Sequence, residues 1–275
     1  MIFTYTLPKL RHITQIFNRL IAQFGFAFRN LPETIIEERI STRGRIEHYF
    51  KAFGSISVLF IEVKFVIGND AERLDVIAQV IAKCDGGSFF PMPDVVFHSF
   101  EPPACHWNNT AEGFDVPVIG ILCDGMSFEF FSFDGKTRKF TRGCLPGDPD
   151  EHRRGLRLTD FTLDGPARFI AGLRRICEII FDLFMGAYIS SLTSFRERSE
   201  RKGKEERKPR KSLDKWDEAL KHAQEAFGKF RAAETKRKGK DSEQANILVE
   251  EAMNALELRY EIFTTRHLML MYRMY

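Results

Sequence analysis

The chain has no aspartate before Asp70 and no acidic residue of any kind before Glu33, although Lys9, Arg11, Arg19 and Arg29 lie in that first stretch. An acid-free basic segment is what a mitochondrial presequence requires. The same residues carry Ile13, Ile16, Phe17, Leu20, Ile21 and Phe24 at helical spacing, and a core-packing helix is the preferred reading. The segment has no continuous apolar core, so a secretory signal is not expected. Cys84, Cys105, Cys123, Cys144 and Cys177 are odd in number, widely spaced and without a C-x-x-C pair, which argues against a disulfide framework and for free thiols in a reducing compartment. Cys84, His98, Cys105 and His106 lack the paired short spacings of a structural zinc site.

Long uninterrupted hydrophobic runs are missing as well. The most apolar stretch, Phe169 to Leu192, is broken by Arg174, Arg175, Glu178 and Asp182, and reads as an amphipathic helix with no membrane partner. A formal net charge of +3 over 275 residues does not identify a nucleic-acid binder, so any such role needs local clustering. With 44% hydrophobic and 29% charged residues the chain has enough apolar surface for a sizeable core. The expected location is intracellular, nuclear or cytoplasmic, with mitochondria as the minority reading.

What is present begins with "SVLFIEVKF", Ser57 to Phe65. β-Branched and aromatic residues predict a strand, and strand alternation sets Val58, Phe60, Glu62 and Lys64 on one face and Leu59, Ile61, Val63 and Phe65 on the other. Two charges on a buried strand need a partner, either each other at a sheet end or a bound group. Upstream, Pro32 and Glu33 in "LPETIIEERI" predict a short helix over 32–40. Downstream, "GNDAERLDVIAQVIAKC" predicts a helix capped by Asn69 or Asp70, with Leu74, Ile77, Ala78, Ile81 and Cys84 on one face. Residues 86–104 are Pro-rich and aperiodic, and suit an insertion. "VPVIGILC" and "SFEFFSF" flank a "DGM" turn and predict a hairpin, followed by a short strand over 137–141 and irregular chain over 143–166.

The C-terminal third changes character. Between Arg196 and Lys211 nine Lys or Arg stand against four Glu, which predicts a flexible, solvated basic linker that could also contact phosphates. Beyond it, Leu213, Trp216, Leu220, Ala223, Phe227 and Phe230 form an a/d seam, and Val249, Met253, Leu256, Tyr260, Phe263 and Leu270 form a second. Gly239, Asp241 and Gln244 supply the turn and cap between them, so an αα-hairpin is expected.

The order of N-terminal helix, strand ending in "IEVK", helix containing Gln79, and "VIGILCDGMSFEFFSFDG" resembles the PD-(D/E)XK restriction-endonuclease-like superfamily, and most of all the nuclease-like domain of fungal proteins. The resemblance covers roughly Arg45 to Gly135. It implies an α/β fold with a restriction-endonuclease-like core, a mixed sheet flanked by helices, here followed by the helical hairpin. It further implies that Glu62 binds Mg²⁺ or Mn²⁺, that Lys64 helps activate the attacking water, and that Gln79 lines the site. The family's second ligand, an aspartate upstream of the Glu-x-Lys, is missing. Glu47 is the first substitute, with Glu37 and Glu38 as further candidates; Pro93-Asp94 follows the strand and is set aside.

The expected organisation is an N-terminal helix over 1–31, a nuclease-like domain over 32–194 with the insertion at 86–104, a basic linker over 195–212 and a hairpin over 213–275. Two functions follow from this. One is metal-dependent action on nucleic-acid phosphodiesters, DNA or RNA, by an active or degenerate site. The other is a non-catalytic scaffold that binds a protein partner through the helical hairpin.

Overall fold

A computed structural model describes residues 6–36, 44–63, 70–86, 109, 113–134, 137, 139–142, 156–158, 165–206 and 214–262. The chain divides into two compact units, Met1–Leu183 and Phe184–Tyr275.

The first unit is α/β. Helix α1 spans Thr6–Ala22. Strands β1 (Phe28–Ile36), β2 (Gly44–Ala52) and β3 (Ile56–Val63) form an antiparallel meander. Helix α2 (Asp70–Gly86) follows, and β4 (Val118–Cys123) then returns parallel to β3. Strands β5 (Ser127–Asp134) and β6 (Lys139–Arg142) add antiparallel, and β7 (Leu156–Arg157) pairs with β5. The result is a seven-stranded mixed sheet of order β1-β2-β3-β4-β5-β6, with β7 off that path.

The three-residue β2–β3 connection, Phe53 to Ser55, contains a turn whose central residues Phe53 (φ 50°) and Gly54 (φ 76°) both occupy the left-handed region, and Ser55 N donates to Ala52 O at 3.1 Å. Positive φ at both central positions matches the right-handed twist of a tight hairpin. In the β4–β5 turn, Asp124 Oδ1 accepts from the backbone N–H groups of Met126 and Ser127, and Gly125 takes φ 92°. This is the hairpin expected from "DGM".

Strand alternation distributes the core. Tyr49, Phe60, Val118, Leu122, Phe131 and Phe133 meet Val76, Val80 and Cys84 of α2. Gly120 permits the closest approach, since a Cβ there would lie 2.8 Å from Val80 Cγ1. On the opposite face Phe17 of α1 packs on Phe50, with ring centroids 6.1 Å apart. Helix α3 spans Pro166–Glu206, and within the first unit its Phe181 lies 5.4 Å from Phe24. By length and composition α3 is apolar enough to cross a membrane, yet half of its most apolar window is buried within the protein.

Several expectations are corrected. Helix α2 meets the sheet through Val76, Val80 and Cys84, not through the face of Leu74 and Ala78, since Leu74 is 66% exposed and Ala78 is exposed too. Strand β7 lies within the chain expected to be irregular over 143–166, where it pairs with β5. Residues 32–36 are strand, not the start of a helix, because Thr34, Ile35 and Ile36 favour extended backbone and Pro32 is tolerated on the outermost strand of the sheet. Residues 37–40 lie outside the described residues. The chain from Arg196 to Glu206 is helical, not a flexible linker. Unbranched Arg, Lys and Glu are good helix formers, and Arg196 pairs with Glu200 one turn on at 3.2 Å. The rest of the expected linker, 207–213, and the insertion through residue 104 from residue 87 lie outside the described residues.

The second unit is helical: residues 184–206 of α3, then α4 (Asp214–Lys238) and α5 (Ser242–Ile262). The two C-terminal helices form the expected antiparallel hairpin. Its turn places Lys240 at φ 63°, and Asp241 Oδ1 accepts from Gln244 N at 3.3 Å to cap α5. The buried seam is richer in alanine than the aromatic spacing suggests. Ala219, Ala223, Ala226 and Ala233 of α4 are buried, as are Ala245, Ala252 and Ala255 of α5. Trp216 stacks on Phe195 of α3 at 5.4 Å, and Arg196 pairs with Asp217 at 3.0 Å.

Candidate functional site

Glu62 sits one residue from the end of β3 and is 1% exposed. It is two residues beyond Phe60, so it belongs to the sheet face covered by α2. A carboxylate at that depth is tolerated only with partners that compensate its lost hydration. Lys64, two residues on, lies outside the described residues, as do Glu37, Glu38 and the Pro93-Asp94 dipeptide.

Backbone register locates Glu47. His48 of β2 faces Ile61 of β3, and Tyr49 faces Phe60. One further step along both strands sets position 47 level with position 62. On the other side of β2 the pairs Pro32 with His48 and Thr34 with Ile46 set position 33 level with position 47. Glu33, Glu47 and Glu62 therefore occupy one row of backbone positions across β1, β2 and β3. Sequence reasoning named Glu47 and Glu62 in this row; Glu33 was hidden because its segment was expected to be helical. Among the described residues, no group of three His, Cys, Asp or Glu side chains gathers as a metal-binding set.

Gln79 is exposed on α2, whose sheet-facing residues are Val76, Val80 and Cys84. Burial pushes the Cys123 thiol up to about 12, only partly opposed by the Gly125 N–H that donates to its sulfur at 3.2 Å, and this excludes it as a thiolate nucleophile at neutral pH.

The row continues on the other side of β3. Glu62 pairs with Leu122 of β4, and Leu122 pairs with Glu129 of β5, so Glu129 lies on the same face two strands away, roughly 10 Å by ordinary strand spacing. Glu129 receives two guanidiniums. Arg73 Nη2 of α2 donates to Oε1 and Arg142 Nη2 of β6 to Oε2, both at 2.7 Å. The carboxylate is 13% exposed while the arginines are 39% and 44% exposed. Sequence reading missed this triad. Its one available signal was Glu129 alone among the phenylalanines of "SFEFFSF", a charge set in alternation with Phe128 and Phe130.

No protein-family model, no curated protein and no solved structure matches the chain.

Proposed function

We propose that the first unit is a nuclease-like α/β domain that binds Mg²⁺ or Mn²⁺ through Glu62 and Glu47 and acts on nucleic-acid phosphodiesters. The single observation that carries this reading is the burial of Glu62 at the end of a central strand with position 47 level beside it on β2. The element order supports it too: an N-terminal helix, a three-stranded meander whose last strand bears Glu62, a helix, and then a strand pair. The donor set suits the cation, since carboxylate oxygens with water completing the octahedron are what a small hard divalent ion takes. Such a cation would polarise a phosphoryl oxygen and lower the pKa of its bound water. Glu62 and Glu47 would hold it, and Lys64 would stabilise negative charge developing on the phosphoryl oxygens.

A second reading is favoured by one observation: no aspartate precedes Asp70, so the strand glutamate lacks the upstream aspartate partner. In that reading the domain is a non-catalytic scaffold and the helical hairpin binds a protein partner.

The test uses the full chain with Mg²⁺ or Mn²⁺ and with DNA and RNA substrates, alongside Glu62→Gln, Glu47→Gln and Lys64→Ala. Metal-dependent cleavage that falls by about two orders of magnitude or more in Glu62→Gln and in Lys64→Ala supports catalysis. Metal binding by calorimetry that is lost in both glutamate variants, with no cleavage of any substrate, indicates a degenerate site. Cleavage insensitive to Glu62→Gln, or no metal binding at all, leaves the scaffold reading.

A further inference from the structure

We propose that Arg73 and Arg142 form a phosphate-binding pair that engages a phosphodiester of a nucleic-acid strand beside the one at Glu62. This rests on the nucleic-acid reading given above. Glu129 uses one oxygen for each arginine and each arginine uses only its Nη2 on Glu129, so neither guanidinium spends its two-pronged edge there. The cluster keeps one net positive charge. Like charges drawn to one carboxylate repel each other, and a second anion between them would relieve that repulsion. Both arginine side chains are more than a third exposed, whereas the Glu129 side chain that anchors them is only 13% exposed, so the fixed end is the buried one.

The chemistry of the fork selects the ligand. Paired N–H donors match two oxygens of a phosphate or carboxylate, and arginine serves this geometry better than lysine. Placement selects the phosphodiester. The triad shares the sheet face of Glu62, with a backbone separation of roughly 10 Å across β4. A polymer with repeating phosphates can place one phosphate at the arginines and a neighbouring one at Glu62. The contact is made to backbone oxygens and reads no base.

The experiment measures fluorescence anisotropy of labelled single-stranded and duplex oligonucleotides, DNA and RNA, with full-length protein in EDTA. Absence of metal separates this contact from the cation site. Each of Arg73→Gln and Arg142→Gln should weaken binding about tenfold, and each should reduce the slope of log affinity against log salt by about one. Arg73→Lys and Arg142→Lys keep the charge and the anchor; they should retain the slope and still lose affinity. Circular dichroism establishes that the variants are folded. Unchanged affinity and slope in the folded double Arg→Gln variant overturn the proposal, and metal-dependent cleavage surviving in that variant would leave the nuclease reading intact. No measurable oligonucleotide binding, together with calorimetric binding of inorganic phosphate that is lost in the double Arg→Gln variant, overturns the strand assignment and identifies a free anion as the ligand.

Discussion

His48 shows how one residue ties a helix to the sheet. It is 5% exposed on β2, stacks against Phe50, and meets Thr14 Oγ1 of α1 through Nε2 at 3.1 Å and Asn30 Nδ2 of β1 through Nδ1 at 3.2 Å. With the Asn30 amide donating to Nδ1, the ring is the Nε2–H tautomer and donates to Thr14. Burial lowers the His48 pKa from its ordinary 6.5. The folded protein holds the neutral ring, while the unfolded chain takes up a proton near the ordinary value. The stabilisation is thus fully present above about pH 6.5 and is lost as pH falls through the folded-state pKa. Urea unfolding at pH 7.5 and pH 5 should show this loss, and His48→Gln should flatten it. An identical pH slope in the variant would assign the effect to other groups.

Among the elements, α2 lies on the sheet through Val80, and Gly120 makes that contact close. A Cβ at position 120 would also meet Phe60 Cζ at 3.1 Å and Cys84 Sγ at 3.3 Å. Val80 has little rotamer freedom in a helix, so the neighbours cannot simply swing away. Gly120→Ala should destabilise the first unit by about 1 to 3 kcal/mol, read from the urea midpoint. The strand signals around this contact were plain in the sequence, because β3, β4 and β5 alternate or run apolar between turn residues. Three features were not. The edge strand β1 carries Pro32 and Glu33, which resemble a helix start, and only pairing with β2 makes them extended. The charged run at 196–206 looks solvated in either state, and its helicity comes from continuity with the apolar part of α3. The Glu129 triad joins residues from α2, β5 and β6, and no local spacing announces a contact assembled by tertiary structure. Glu62 was legible because its burial and its charge conflict within a single strand.

At the scale of the molecule the two units rest on different packing. The first fills its core with large rings, including Phe17, Phe24, Phe50, Phe60, Phe130 and Phe131, all below 2% exposed. The second closes α4 on α5 through alanines, with Lys229 reaching both Glu225 at 3.0 Å and Glu251 at 3.2 Å on the rim. Ala223 is fully buried in this seam beside Leu220 and Leu256, so a longer side chain there overpacks it. Ala223→Leu should therefore cost about 1 to 3 kcal/mol and speed amide hydrogen exchange within 214–262, while Gly120→Ala should speed it within 118–134. Equal acceleration everywhere in both variants would mean that the chain opens as a single cooperative body.

The parallel pairing of β3 with β4 has a kinetic side. The meander β1-β2-β3 and the hairpin β4-β5 each close through nearby residues, but Leu59 finds Ile119 only after α2 and the chain beyond it have been spanned. The search that joins the two halves of the sheet is the non-local step, and contacts of that kind slow folding. Loop-closure entropy grows only with the logarithm of length, so even doubling the separation between Leu59 and Ile119 would hinder that closure by only about 0.6 kcal/mol. The separation in sequence of β3 and β4 is thus nearly neutral for the rate at which the sheet assembles, and the meeting of its two halves, not the distance between them, is what makes the step slow.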